Sequence, residues 1–81
     1  MSAQSLAQEL RRAVVPVLDS DALEFIDVYF SEEEWEIFIG MAAQTCAAHG
    51  IPLNPEVSEY EEWISDSAIE AVRSNIRGQA A

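Results

Sequence analysis

Residues 31–52, SEEEWEIFIGMAAQTCAAHGIP, carry the clearest helical signal of the sequence and decide the fold. A stripe of apolar side chains recurs three and four residues apart, as on one face of an α-helix, at Trp35, Phe38, Ile39, Ala42 and Cys46. Ser31 and Glu34 have the spacing of a capping box, in which the two side chains satisfy free backbone amides of the first turn. Gly50 and Pro52 indicate where the helix ends. We expect this helix to be the most buried.

Shorter helices are predicted before this stretch. One has an apolar face from Leu6 onward and ends at about Val15, because Pro16 lacks an amide proton and disfavours helix in the residue before it. A second runs from about Asp21 to Phe30, behind a cluster of good N-cap residues.

The helical pattern restarts after the central helix. Asn54 and Pro55 supply an N-cap and a proline at the first helical position, and apolar residues then continue at helical spacing to Val72. Residues 65–67 can cap a separate last helix, and we expect a break there. The predicted fold class is therefore all-α, a small antiparallel bundle of four to five short helices. We expect residues 1–81 to form a single acidic helical domain.

Charge sets the limits on what the protein can bind. Fifteen Asp and Glu residues stand against four Arg and no Lys, which gives a formal net charge of -11. At 49 % hydrophobic the chain is too apolar for a disordered acidic tail, so we expect a compact fold. The negative charge opposes direct contact with nucleic acid or an anionic membrane. The expected partner is a basic protein surface.

Fourteen of the fifteen acids lie between Ala13 and Val72, where there is no Lys or Arg. One interpretation is a solvated face that keeps the bundle soluble. The other is a binding surface, because carboxylates without a local cation, such as those of Asp27 and Glu61, repel their neighbours at a cost in stability. Aromatic residues beside them are suited to anchoring a partner. The predicted partner-binding residues are Asp27, Tyr29, Glu32, Glu33, Glu36, Glu59, Tyr60, Glu62, Trp63 and Asp66.

The sequence contains no strong motif for catalysis or cofactor binding. Cys46 and His49 have the spacing of two metal ligands on one helix, but nothing supplies the rest of a zinc set. The three glycines are isolated, so no phosphate-binding loop is expected, and so short a chain hardly provides a catalytic cleft. We expect a protein that is not an enzyme and uses no metal or cofactor. The single cysteine and the absence of signal-peptide features predict a cytoplasmic location.

Residues 29–37, YFSEEEWEI, and the turn at 50–53, GIPL, resemble small helical bacterial immunity proteins that accompany secreted toxins. In size and charge the chain also resembles the four-helix immunity proteins of nuclease colicins. The adjacent tyrosine pair of that second family is absent, since Tyr29 and Tyr60 are isolated, so no binding residues carry over. The resemblance implies a helical protein that binds and neutralises a toxin.

Three functional hypotheses follow from these patterns. The leading one is a non-catalytic protein that neutralises a partner by covering its basic surface, as an immunity protein, antitoxin or inhibitor would. The second is a phage-encoded nucleic-acid mimic, whose carboxylates imitate phosphates. The third is an acyl carrier, which the chain resembles in length and acidity. That family's modified serine lies in an Asp-Ser-Leu motif, whereas Phe30-Ser31-Glu32 stands here.

Overall fold

Four α-helices and two 3₁₀ helices, with no β-strand, make up residues 1–78, the part of the chain that the computed structural model describes. The α-helices are α1 (Ala3–Val14), α2 (Ser20–Ser31), α3 (Trp35–Ala48) and α4 (Ile69–Ser74), and the 3₁₀ helices are Pro55–Trp63, the long one, and Asp66–Ala68, the short one. The predicted all-α fold class is confirmed. The predicted domain also includes residues 79–81, which lie outside the described residues.

Helix α3 is the centre of the bundle, because α1, α2, α4 and the long 3₁₀ helix all pack against it. The predicted apolar stripe is confirmed, since four of its five members are fully buried: Phe38, Ile39, Ala42 and Cys46. Trp35, the fifth, is half-buried and packs edge-to-face on Phe30 of α2, with the ring centroids 5.3 Å apart. The Phe30 ring also meets Phe38 at 5.1 Å. This aromatic contact fixes the end of α2 against the start of α3.

The predicted end of α3 is confirmed in its hydrogen bonds. Gly50 has a φ of 68°, the left-handed conformation that glycine adopts without steric cost. The Ile51 amide donates to the Cys46 carbonyl at 2.9 Å, and the Gly50 amide donates to the Ala47 carbonyl at 3.2 Å. These two bonds form a Schellman motif, which satisfies carbonyls that would otherwise be unpaired at the helix end.

Side-chain caps begin three of the helices. Asp19 accepts a hydrogen bond from the Ala22 amide at 2.8 Å and caps α2, within the predicted N-cap cluster. Asn54 accepts from the Glu56 amide at 2.9 Å, ahead of Pro55, as expected. Ser2 caps α1, which starts three residues before the predicted apolar face.

The capping box predicted at Ser31 and Glu34 is wrong. Ser31 is the last residue of α2, and its hydroxyl donates to the Val28 carbonyl at 3.1 Å. Glu34 is the N-cap of α3, but its side chain makes no capping hydrogen bond in the described part of the chain. The reason is that the packing of Phe30 on Trp35 favours the continuation of α2 to Ser31. The turn is then closed by backbone bonds, including Glu34 amide to Tyr29 carbonyl at 2.9 Å.

The apolar spacing after α3 predicts one face of a longer helix. The structure has a 3₁₀ helix there instead. Only Val57 is fully buried within it, and Tyr60 has non-helical angles (φ -115°, ψ 20°) that kink the helix. Ile64 ends the segment in an extended conformation, so the predicted break near residues 65–67 is present. The stretch is mostly polar, and it forms short 3₁₀ turns in place of a regular α-helix.

An isolated parallel bridge joins Leu53 to Ile76 and ties the loop after α3 to the end of α4. The Leu53 amide donates to the Asn75 carbonyl, and the Arg77 amide donates to the Leu53 carbonyl, both at 2.7 Å. Leu53 and Ile76 are both buried, which makes this closure part of the hydrophobic core.

Candidate acidic binding surface

Two arginines form bidentate ion pairs with acids far away in the sequence. Arg11 of α1 binds Asp27 of α2 through two hydrogen bonds of 2.8 and 2.7 Å, and its guanidinium lies 5.5 Å from the centre of the Phe30 ring. Arg73 of α4 binds Glu61 of the long 3₁₀ helix through two bonds of 2.8 Å. The expectation that Asp27 and Glu61 have no nearby cation is therefore wrong, because the bundle brings each of them to an arginine.

The pKa of Asp27 is lowered, first by the hydrogen bonds from Arg11 and then by its charge, against the opposing effect of burial. A lowered folded-state pKa stabilises the protein above the unfolded pKa, about 3.9, and that contribution disappears as the pH falls through the folded value. The pair is partly exposed, so we expect Asp27→Asn to lower the free energy of unfolding by only about 1 kcal/mol at neutral pH.

The difference between wild type and Asp27→Asn should be constant from about pH 7 to pH 5 and should shrink below about pH 4. Urea unfolding at each pH measures it. Glu24→Gln, on the same helix at an exposed acid, is the matched control and should show a much smaller difference. A pH-independent loss of stability in Asp27→Asn would mean that packing, not charge, makes this contact.

Five acids take part in ion pairs: Glu9, Asp27, Glu56, Glu61 and Glu70. The other ten make no ion pair within residues 1–78, and all of them are exposed. They are Asp19, Asp21, Glu24, Glu32, Glu33, Glu34, Glu36, Glu59, Glu62 and Asp66. Within residues 1–78 no arginine, histidine or N-terminal amine neutralises these carboxylates, so their mutual repulsion remains in the folded protein.

Some of the predicted site residues come together where α3 begins. Burial raises the pKa of the Tyr60 hydroxyl, and the charges of Glu59, Glu36 and Glu56 raise it further. Glu36 lies on α3, whereas the others lie on the long 3₁₀ helix, so the two elements share one acidic surface around Tyr60. Trp63, at the end of the same 3₁₀ helix, is 44 % exposed.

The turn between α2 and α3 adds three exposed acids, Glu32, Glu33 and Glu34. Glu33 has a φ of 58°, a left-handed conformation that costs a residue with a side chain about 1 kcal/mol relative to glycine. The structure thus keeps a carboxylate at a position where glycine fits with less strain.

The other predicted site residues are scattered. Asp27 is occupied by Arg11, and Tyr29 is half-buried with its ring edge-on to Phe25 at 6.1 Å. Glu62 is exposed on the long 3₁₀ helix, and Asp66 is exposed after the break. The structure also reveals two exposed apolar residues that the sequence prediction omitted, Phe25 and Val28, at 62 % and 55 % exposure.

The two residues considered as metal ligands differ in exposure. Cys46 is buried, and that burial raises its pKa to about 11, whereas His49 is exposed at the helix end. Within residues 1–78 there is no group of three or more His, Cys, Asp or Glu side chains placed to hold a metal ion. None of the helices in this part of the chain has the length and apolar character needed to cross a membrane.

The described residues, 1–78, form a small helical bundle in which ten exposed carboxylates make no ion pair. Comparisons of the chain with protein-family models, with curated proteins and with solved structures find no match. The resemblance to immunity proteins therefore stays a prediction from the sequence.

Proposed function

We propose that this protein is a non-catalytic acidic binding protein that covers a basic surface on a partner protein, as an immunity protein, an antitoxin or an inhibitor does. The observation that carries the proposal is the set of ten exposed acids without an ion pair in the described residues. A protein that needs charge only for solubility does not need so large an excess of negative charge, because the repulsion among like charges lowers its stability.

The distribution of these acids also supports a binding role. They occur at the start of α2 and along it, on the turn before α3, at the start of α3 and on both 3₁₀ helices, so the negative potential extends over several elements. A field of this extent attracts a basic protein over a distance of about 10 Å at 0.1 M salt and raises the association rate. Contact with cations then removes the repulsion among the carboxylates.

The proposal predicts a strong salt dependence of partner binding. The experiment recovers binding partners with the tagged full chain, identifies them, and titrates the purified partner at several salt concentrations. We expect a partner with a basic surface, and an association rate that falls at least about tenfold between tens and hundreds of millimolar salt. A partner without a basic surface, or an association rate independent of salt, would refute the proposal.

A further inference from the structure

Helix α2 is the least embedded of the three long helices. Its only fully buried residue is Ile26, whereas α1 has four buried residues and α3 has six. The helix nevertheless presents two large apolar side chains to solvent, Phe25 and Val28, each more than half exposed. These two residues lie three apart, so they are neighbours on one face of the helix.

Four exposed residues of α2, together with Glu32 directly after the helix, form one continuous strip. At about 100° per residue, five residues fall within an arc of about 100° on the side away from Ile26. We call this strip the α2 outer face, and it consists of Asp21, Glu24, Phe25, Val28 and Glu32. All five residues are exposed. Phe25 and Val28 form an apolar pair in the middle of the strip, and the three acids lie at its two ends and along one side.

Open grooves run along both sides of the strip. Val28 lines a groove shared with α1, where Arg11 is already engaged with Asp27. Phe25 lines a second groove, whose floor is formed by α3 at Met41 and Thr45. Helix α2 is therefore a ridge, and each of its two apolar side chains borders a depression that a partner's side chains can enter.

Charge decides which occupant this ridge suits. The outer face carries three acids, and the five residues that form it include no cation. A second copy of the chain, with a net charge of -11, would place carboxylates against carboxylates and be repelled. A partner segment with apolar side chains flanked by Lys or Arg satisfies both features, since its apolar atoms cover Phe25 and Val28 while its cations meet the acids.

We propose that the α2 outer face is the contact surface of this protein, and that it binds an amphipathic cationic segment of the partner through Phe25 and Val28. This inference rests on the proposed function and adds the place of contact and the chemistry of the partner segment. The acids around Tyr60 then act mainly in attraction at a distance.

Two synthetic peptides test the proposal without knowledge of the partner. One has Leu on one face of a helix and Lys on the other, and the second replaces each Leu with Ser at the same charge. Each is titrated into the full-length protein at low salt, and backbone amide resonances are followed by NMR. We expect the Leu/Lys peptide to shift resonances of residues 21–32 most, and the Ser/Lys peptide to bind more weakly with small shifts spread over all acidic segments.

Variants separate apolar contact from charge. Phe25→Ala together with Val28→Ala should weaken the Leu/Lys peptide at least about tenfold and leave the Ser/Lys peptide unchanged. Val15→Ala, at an apolar residue 38 % exposed in another part of the chain, is the matched control and should change neither affinity. Because alanine favours helix, helical circular dichroism of the double variant should match wild type.

Three results would overturn the proposal. If the NMR shifts centre on residues 56–63 and the double variant does not change peptide affinity, the contact surface lies on the long 3₁₀ helix. The proposed function would then still stand. Failure of both peptides to bind at low salt would remove both the contact surface and the proposed function. A dimer in sedimentation experiments that the double variant dissociates would make a second copy the occupant.

Discussion

Replacing Gly40 with alanine is expected to lower the free energy of unfolding by about 2 to 3 kcal/mol, the upper range for overpacking a tight site. A Cβ atom built at Gly40 overlaps the carbonyl oxygen of Trp63 and lies 2.9 Å from its carbonyl carbon. These are backbone atoms, so the overlap can be relieved only if the long 3₁₀ helix moves away from α3. Chemical denaturation of wild type and variant measures the difference.

The direction of the change in unfolding free energy distinguishes overpacking from helix propensity. Helix propensity alone predicts that a glycine-to-alanine change inside a helix stabilises by about 1 kcal/mol. Ala48→Gly, at an exposed position of α3, is the control and should lose up to about 1 kcal/mol from propensity alone. A Gly40→Ala variant more stable than wild type would show that α3 and Trp63 are not in close contact.

The Gly40 contact links the fold to the acidic surface. The long 3₁₀ helix has one fully buried side chain, Val57, and it bears two of the predicted acids, Glu59 and Glu62. The close approach of Trp63 to α3 at Gly40 is one of the contacts that fix where those acids lie. We therefore expect substitutions at Gly40 to shift the pKa of Tyr60, which senses charges on both elements.

Local patterns in the sequence were enough to predict most of the bundle. The apolar spacing of α3 depends only on the helical repeat, and the Gly50-Ile51-Pro52 stop depends on glycine's access to positive φ, so both could be inferred without tertiary contacts. The capping box failed because Ser31 can serve either as a cap or as a last helical residue. The packing of Phe30 on Trp35 decides between them, and a sequence pattern contains no such contact.

The candidate site was less predictable, because exposure and ion pairing depend on residues far apart in the chain. Asp27 lies sixteen positions from Arg11, and Glu61 lies twelve from Arg73, so no local rule pairs them. The apolar pair on α2 is different. Its spacing beside three acids is visible in the sequence, but only the structure shows that Ile26 faces the core and Phe25 faces solvent.

Glu24→Lys is expected to weaken binding of the basic partner by about 1 to 3 kcal/mol, because it places a cation opposite the partner's cations on the α2 outer face. The loss should appear mainly as faster dissociation, since it occurs in the contact itself. Stability should stay within about 0.5 kcal/mol of wild type, because Glu24 is exposed. Surface-based binding kinetics and urea unfolding measure the two quantities.

Glu62→Lys is the matched charge reversal on the long 3₁₀ helix, where the acid is also exposed. It should slow association at low salt and leave dissociation unchanged, because its charge acts at a distance. Glu34→Lys should leave the free energy of unfolding nearly unchanged, because Glu34 makes no capping hydrogen bond. A capping box at Ser31 would instead require a loss of about 1 kcal/mol. If Glu62→Lys speeds dissociation more than Glu24→Lys does, the contact lies on the 3₁₀ side of the bundle. The carboxylates around Tyr60 would then touch the partner, and the apolar pair on α2 would serve another purpose.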